Sequence, residues 1–299
     1  MKKALSALLA AVMVLGLAAL APITAHAATL TANDAASLAT ALAAAGDNTI
    51  RLTADITYNN RIEISTAKII TFDLNGKTLT LRHIIRLFGG AKIQLLNPAN
   101  GEFNVYYYSD GDVIEVFGGS SLEVTNVEGG DWAMNAVGGE ITVYGDVTSM
   151  NEGACASGGG KITINGTITT IAPASDYIKV GSTAKTAAQF LTPSTKTGYL
   201  TYSFTDSYGT NTVWVKCAAH TFGDWTVDTP ATATATGTKH RNCTACNFRE
   251  DGTIPATGGG GDDPGDCFVL WGKTTTYLKS NFWNWILLIF LFGWIWMAF

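Results

Sequence analysis

Four residues in the C-terminal third of the chain have the types and spacing of a metal site. Cys217 and His220 form a CxxH pair, Cys243 and Cys246 form a CxxC pair, and 22 residues separate His220 from Cys243. Three thiolates and one imidazole arranged as two knuckles can close a tetrahedron around zinc. The separation is slightly longer than such sites commonly use, which a longer hairpin accommodates. FGDWTVD (222–228) and GTKHRN (237–242), joined by the Pro/Thr/Ala stretch 229–236, read as the two strands of that hairpin and bring the pairs together.

Size supports a staple. Residues 217–257 carry only Phe222, Trp225, Val227, Phe248 and Ile254 as sizeable apolar groups, too few to hold a fold unaided. Three thiolates around a divalent ion leave one net negative charge, and Lys216, Lys239, Arg241 and Arg249 are near enough in sequence to balance it. A disulfide among Cys217, Cys243 and Cys246, or free thiols, are the alternatives, because exported cysteines can be oxidised. His240 is a reserve ligand that a regular hairpin would turn the wrong way.

The two ends of the chain place this site outside the cytoplasm. Lys2 and Lys3, an apolar and small-residue run from Ala4 to Ala21, and Ala25-His26-Ala27 read as a secretory signal with cleavage before Ala28. Taking Lys2 and Lys3 from the 19 basic side chains leaves 17 against 24 acidic ones, with no basic run, so nucleic acid is excluded as an expected partner. Residues 282–299, FWNWILLIFLFGWIWMAF, contain no charge. As a helix they reach roughly 27 Å, the short end of a bilayer span. Trp283 and Trp285 at one end and Trp294 and Trp296 at the other match two interfacial belts. A C-terminal membrane anchor is the reading; an interfacial or protein-buried tail and a docking segment are the alternatives. GGGGDDPGD (258–266) opens a flexible linker over 258–281, which contains Cys267.

Between the ends the chain is built from short strands. DAASLATALAAA (Asp34–Ala45) reads as a helix with Asn33 as N-cap and Gly46 as stop. Four later runs, FGGAKIQLLN, FGGSSLEVTN, VGGEITVYGD and SGGGKITING, share one frame with glycines at 89, 118, 138 and 158, steps of 29, 20 and 20. A period near 20 with one short strand is solenoid arithmetic, since each unit buries its apolar face against the next. Allowing the third run one residue fewer after its glycines, Ile93, Leu122, Ile141 and Ile162 form one inward column and Leu95, Val124, Val143 and Ile164 a second. The outward columns are Lys92, Ser121, Glu140, Lys161; then Gln94, Glu123, Thr142, Thr163; then Leu96, Thr125, Tyr144, Asn165. The double glycine suits a corner with unusual backbone angles.

Residues 28–216, with NTIRLTADITYNNRIEIS followed by the DLNGKTL signature in ITFDLNGKTLTL, resemble the right-handed parallel β-helix of pectate-lyase-like proteins. The resemblance implies a fold and little about activity, since that scaffold serves lyases, hydrolases and adhesins. Residues 217–257 resemble a repeat of Gram-positive anaerobe surface proteins, through the CxxHxFGxW opening, the PATxTxxG centre, the CxxC and the closing IPATG. That pattern usually has a cysteine where this chain has Ala233, which leaves four ligands and favours one closed metal site. IPATG (254–258) also resembles a sortase signal, although the same letters close the repeat.

Glycan cleavage needs two carboxylates facing one cleft, or calcium held by an acidic cluster beside a base. Asp73 and Glu123 are the best pair: if both occupy one outward column two rungs apart they would be roughly 10 Å from each other, which barely reaches the inverting range of about 6.5–9.5 Å. The alternative is a turn residue and a solvated face. Asp110 and Asp112 could bind Ca²⁺, although Asp-Gly-Asp also simply makes turns. Tyr106, Tyr108 and Trp132 are candidates for stacking on sugar rings, with Tyr107 facing the opposite way. His83 reads as a turn histidine and Cys155 as a buried filler.

The expected organisation is a signal peptide (1–27), a parallel β-helix (28–216), a small zinc-ribbon-like hairpin module (217–257), a linker (258–281) and a hydrophobic helix (282–299), in an all-β protein with one short N-terminal capping helix. The expected function is a non-catalytic cell-surface protein that binds a glycan or a surface protein through the β-helix face. A polysaccharide lyase or glycoside hydrolase, and a spacer without ligand, are the alternatives; the oligomeric state is not legible.

Overall fold

The computed structural model describes residues 28–108, 111–171 and 177–258. The signal segment, Asp110, Cys267 and the apolar segment 282–299 lie outside them, and no helix among the described residues is long and apolar enough to cross a membrane. Among the described residues strand makes up 52% and helix 4%, so the fold is all-β, a parallel β-solenoid of about 7 turns.

Each coil contributes one strand to each of three sheets. In the first coil these are Asn48–Leu52, Ile56–Tyr58 and Ile62–Ile64, and the next coil starts at Ile69–Asp73 beside the first. The first sheet then stacks Lys92–Leu95, Ser121–Val124, Glu140–Val143 and Lys161–Ile164 in parallel. Its pairing runs Ile93, Leu122, Ile141, Ile162 and Val124, Val143, Ile164, the inward columns expected, and all are buried. The first outward column matches as well, Lys92 pairing with Ser121, Ser121 with Glu140 and Glu140 with Lys161, and in the second Glu123 pairs with Thr142 and Thr142 with Thr163. Each buried Ile, Leu or Val contributes roughly 1.5–3 kcal/mol of transfer free energy, so the ladder of apolar columns is the main stabilising term. At the corners Gly89 and Gly90 (62° and 84°), Gly119 (75°), Gly138 (71°), and Gly158 and Gly159 (60° and 83°) take positive φ, so the first and last corners use both glycines and the middle two use one.

The ends are closed by other elements. At the N-terminal end the helix Ala35–Ala43 puts Leu38 and Ala41 into the core. Its N-cap is Asp34 rather than Asn33. Asp34 has the extended backbone of a cap (φ −154°, ψ 177°) and its carboxylate accepts the Ser37 N–H at 2.7 Å, whereas Asn33 Oδ1 accepts only the Ser37 hydroxyl at 3.1 Å. The helix also stops earlier than Gly46, at Ala43, where Lys68 Nζ donates to the carbonyls of Leu42 and Ala44. At the other end Tyr199–Asp206 pairs antiparallel with Gly209–Lys216 and terminates the first sheet.

Side chains on one coil also accept backbone N–H groups of a neighbouring coil. Asp47 accepts Ile69 N at 2.8 Å, Asp55 accepts Thr78 N at 2.9 Å, Glu123 accepts Leu95 N at 2.9 Å, and Asp146 accepts Thr167 N at 2.7 Å. These carboxylates clasp coils together.

Contacts divide the chain into two compact units. The first holds the solenoid together with residues up to 224 and 242–249. The second holds the described residues 225–241 and 250–258; Thr226–Thr229 and Gly237–Asn242 form the expected antiparallel hairpin, and Arg249–Ile254 adds a third strand. Within that unit Lys239 Nζ and the Arg241 guanidinium lie 4.5 and 4.7 Å from the Trp225 ring centre.

Candidate metal centre

Cys217 follows directly on the strand Gly209–Lys216, and its N–H donates to Gly198 O at 3.0 Å, so the first knuckle is anchored to the solenoid's last hairpin. The second knuckle, 242–248, is tied to the first: Gly223 N donates to Asn242 O at 3.0 Å, Thr244 N to Thr221 O at 2.9 Å, and Phe222 and Cys243 form a β-bridge. It is tied to the solenoid as well. Gly198 N donates to Cys246 O at 2.9 Å and Asn247 Nδ2 to Ser194 O at 3.2 Å. The turn closes through Asn247 N on Cys243 O (3.0 Å) and Cys243 N on Phe248 O (2.8 Å), with Asn247 in the left-handed region at φ 56°.

These bonds bring the Sγ atoms of Cys217, Cys243 and Cys246 and a ring nitrogen of His220 within 4.8 Å of one another, so the group could hold a metal ion. A tetrahedron with zinc–sulfur bonds of ~2.3 Å has edges of about 3.8 Å, so a small closure would complete it. Cys246 Sγ is already 3.2 Å from His220 Nδ1. The three cysteines are unlinked thiols, buried against Leu200, Phe222 and Ala245. His220 stacks on Phe248 with ring centres 4.4 Å apart and planes 9° from parallel.

The electrostatics fit a cation. Burial works against the Cys243 thiolate, yet the backbone N–H groups of Ala245 and Cys246, with His220 and Cys246, outweigh it and hold the thiol down at about 6. Burial and the neighbouring Cys243 and Cys217 push the Cys246 thiol up to about 12, with only the Phe248 backbone bond working the other way. One thiolate forms readily and crowds out the next unless positive charge is supplied.

The other candidates lie apart from this centre. His240 is held by Asp228, Nδ1 to Oδ1 2.7 Å. The register puts Glu123 in the column of Gln94, Thr71 and Thr142, while Asp73 pairs with Arg51 two positions further along its strand. Asp73 and Glu123 therefore do not share a column: Asp73 lies 3.6 Å from the Arg51 guanidinium, and Glu123 clasps Leu95 N. Tyr108 is 58% exposed and donates to Glu128 at 2.5 Å, Tyr106 is half-buried beside the same acid, and Trp132 lies under Lys179 Nζ at 5.1 Å from its ring centre. Tyr107 faces inward against the core and stacks on His83, whose Nδ1 accepts the Ile84 N–H at 2.9 Å. Cys155 is buried, and burial pushes its thiol up to about 11.

Sequence reasoning missed a polar column on the third sheet. Glu115, Asn135, Cys155 and Lys179 are in register. Beside them Asn135 Nδ2 donates to Asp112 Oδ2 at 3.1 Å, and Lys179 lies 4.0 Å from the buried Glu152. Burial pushes the Asp112 carboxyl up to about 6, with Glu115 adding to the shift and Asn135 and Arg86 opposing it. A search for residues recurring every 20 positions in a second frame was the available signal.

Comparison with protein-family models, with curated proteins and with solved structures found no match.

Proposed function

We propose that the chain is an exported, non-catalytic cell-surface protein: a β-helix of the pectate-lyase-like kind, as in surface proteins of Gram-positive anaerobes, that binds a glycan or a surface protein through its outward columns. Residues 282–299 hold it at the membrane, and Cys217, His220, Cys243 and Cys246 hold a structural Zn²⁺. The observation that supports this reading is the use of the carboxylates. Asp47, Asp55, Glu123 and Asp146 accept backbone N–H groups of neighbouring coils, so acids that could have gathered in a cleft act as clasps between coils.

A second reading, a lyase or glycoside hydrolase, draws on the third sheet. Asp112, Trp132 and Glu152 are in register, so two carboxylates stand two coils apart with an aromatic ring between them, and burial raises the Asp112 carboxyl above its ordinary value. One experiment separates the two. The full chain is incubated with a panel of polysaccharides at pH 5.5 and 7.5, and both retention on the polymer and release of reducing ends or unsaturated sugars are measured. Retention without release is expected. Release that disappears in Asp112→Asn would replace the binding reading with the enzymatic one.

A further inference from the structure

The last hairpin of the first sheet carries two lysines on an aromatic mount. Lys196 Nζ is 4.3 Å from the Tyr199 ring centre and 5.3 Å from that of Trp214, and Lys216 Nζ is 5.0 Å from Tyr199. The mount is fixed at its edges. Tyr199 Oη donates to Asn165 Oδ1 at 2.6 Å, Trp214 Nε1 donates to Thr195 Oγ1 at 3.0 Å, and Lys196 Nζ spends one proton on Thr163 Oγ1 at 3.3 Å. Tyr199 and Lys216 are direct cross-strand partners, and Trp214 pairs with Thr163 and Thr201, so all of these groups share one outward face.

The charge at this mount is concentrated. Some described cations of the solenoid pair with acids, Arg51 with Asp73, Arg86 with Glu115, Lys161 with Glu140 and Lys179 with Glu152, and Lys68 donates to backbone carbonyls. Lys196 and Lys216 instead share one ring, and no carboxylate among the described residues is in ion-pair range of either. Glu123, the acid in the Thr163 column, is two coils away and bonded to Leu95 N. In an acidic protein, two ammonium groups held over one ring by aromatic attraction leave several N–H donors unused. Burial, and after it the charge of Lys216, lowers the pKa of Lys196, and an anion between the two would relieve that repulsion.

We propose that Lys196 and Lys216, mounted over Tyr199 and Trp214, bind an oxyanion carried on a sugar, the ammonium groups taking the anion and the aromatic rings the apolar face of the sugar. The proposal rests on the glycan-binding reading above and names its ligand class. The anion is a carboxylate, a sulfate ester or a phosphate, which share the same need for two donors and a positive field.

The test is calorimetric titration of the full chain with five probes: a hexuronate oligosaccharide, its carboxyl-reduced neutral counterpart, a sulfated oligosaccharide, a polyol-phosphate oligomer and inorganic phosphate. The expected result is binding of at least one charged probe, an affinity for the neutral counterpart at least about tenfold weaker, and a further loss of about tenfold in each of Lys196→Gln and Lys216→Gln. Both variants should keep the wild-type melting temperature. Equal binding of the charged and neutral hexuronates, or no effect of either substitution on charged-probe binding, overturns the anion site while leaving the broader glycan reading standing. If no oligosaccharide binds but inorganic phosphate does so in a Lys196- and Lys216-dependent way, the anion site stands and the glycan reading falls.

Discussion

Cys246 Sγ lies 3.2 Å from His220 Nδ1, and the same imidazole is stacked on Phe248, two residues after Cys246. One knuckle therefore supplies both a candidate sulfur ligand and the surface that orients the candidate nitrogen ligand of the other. Removing that surface leaves the donor set intact but frees the ring. Phe248→Ala should weaken zinc binding by about tenfold, read by competition with a chromogenic chelator.

Asn247 holds the left-handed conformation that lets Cys243 and Cys246 turn toward one centre. Asn247→Gly keeps that conformation but loses the Nδ2 bond to Ser194 O, and should cost about 1 kcal/mol in denaturant titration. Asn247→Val loses the same bond and should cost about 1–2 kcal/mol more, because a β-branched side chain resists that conformation.

The clasp at Asp146 serves both the amide and the hydroxyl of Thr167, at 2.7 and 2.8 Å. Asp146→Ala should destabilise the solenoid by about 1–2 kcal/mol. It should also speed hydrogen exchange at the Thr167 amide more than at amides of the first coils, since each coil contacts only its neighbours.

Asp112 gives a pH dependence with a definite sign. Its folded pKa of about 6 lies above its ordinary value of 3.8. At acid pH below both values it is neutral in both states and no stability is lost. As pH rises from about 4 to 6 the unfolded chain ionises first, and stability falls until the folded value is passed. Asp112→Asn, which can still accept from Asn135, should remove this loss. The variant should exceed wild-type stability by about 1 kcal/mol at pH 7.5, allowing for partial exposure, and the difference should shrink below pH 4.

The first sheet was legible because its strands follow double glycines at a near-constant spacing and alternate cleanly, so Ile93, Leu122, Ile141 and Ile162 could be aligned residue by residue. The second and third sheets were not. Strands of three residues such as Ile56–Tyr58 and Ile62–Ile64 carry too little alternation to set a register, and the column of Glu115, Asn135, Cys155 and Lys179 went unread with them. The error over Asp73 and Glu123 has the same source: a displacement of two positions keeps a side chain on the outward face but moves it to another column. The four residues of the candidate metal centre were readable from spacing alone. Their supports were not, because Ser194, Gly198 and Leu200 reach the knuckles through tertiary hydrogen bonds and packing that no local pattern encodes.

The most direct test of the stapled solenoid is the native mass of the full chain expressed with zinc, measured before and after chelation and paired with the far-ultraviolet spectrum and melting curve. One zinc per chain is predicted, with chelation removing the ion and lowering the melting temperature, and with Cys243→Ser reproducing the chelated state. A metal-free chain about two mass units below the fully reduced value, folded and indifferent to chelator, would show a disulfide in place of the metal centre and contradict the account.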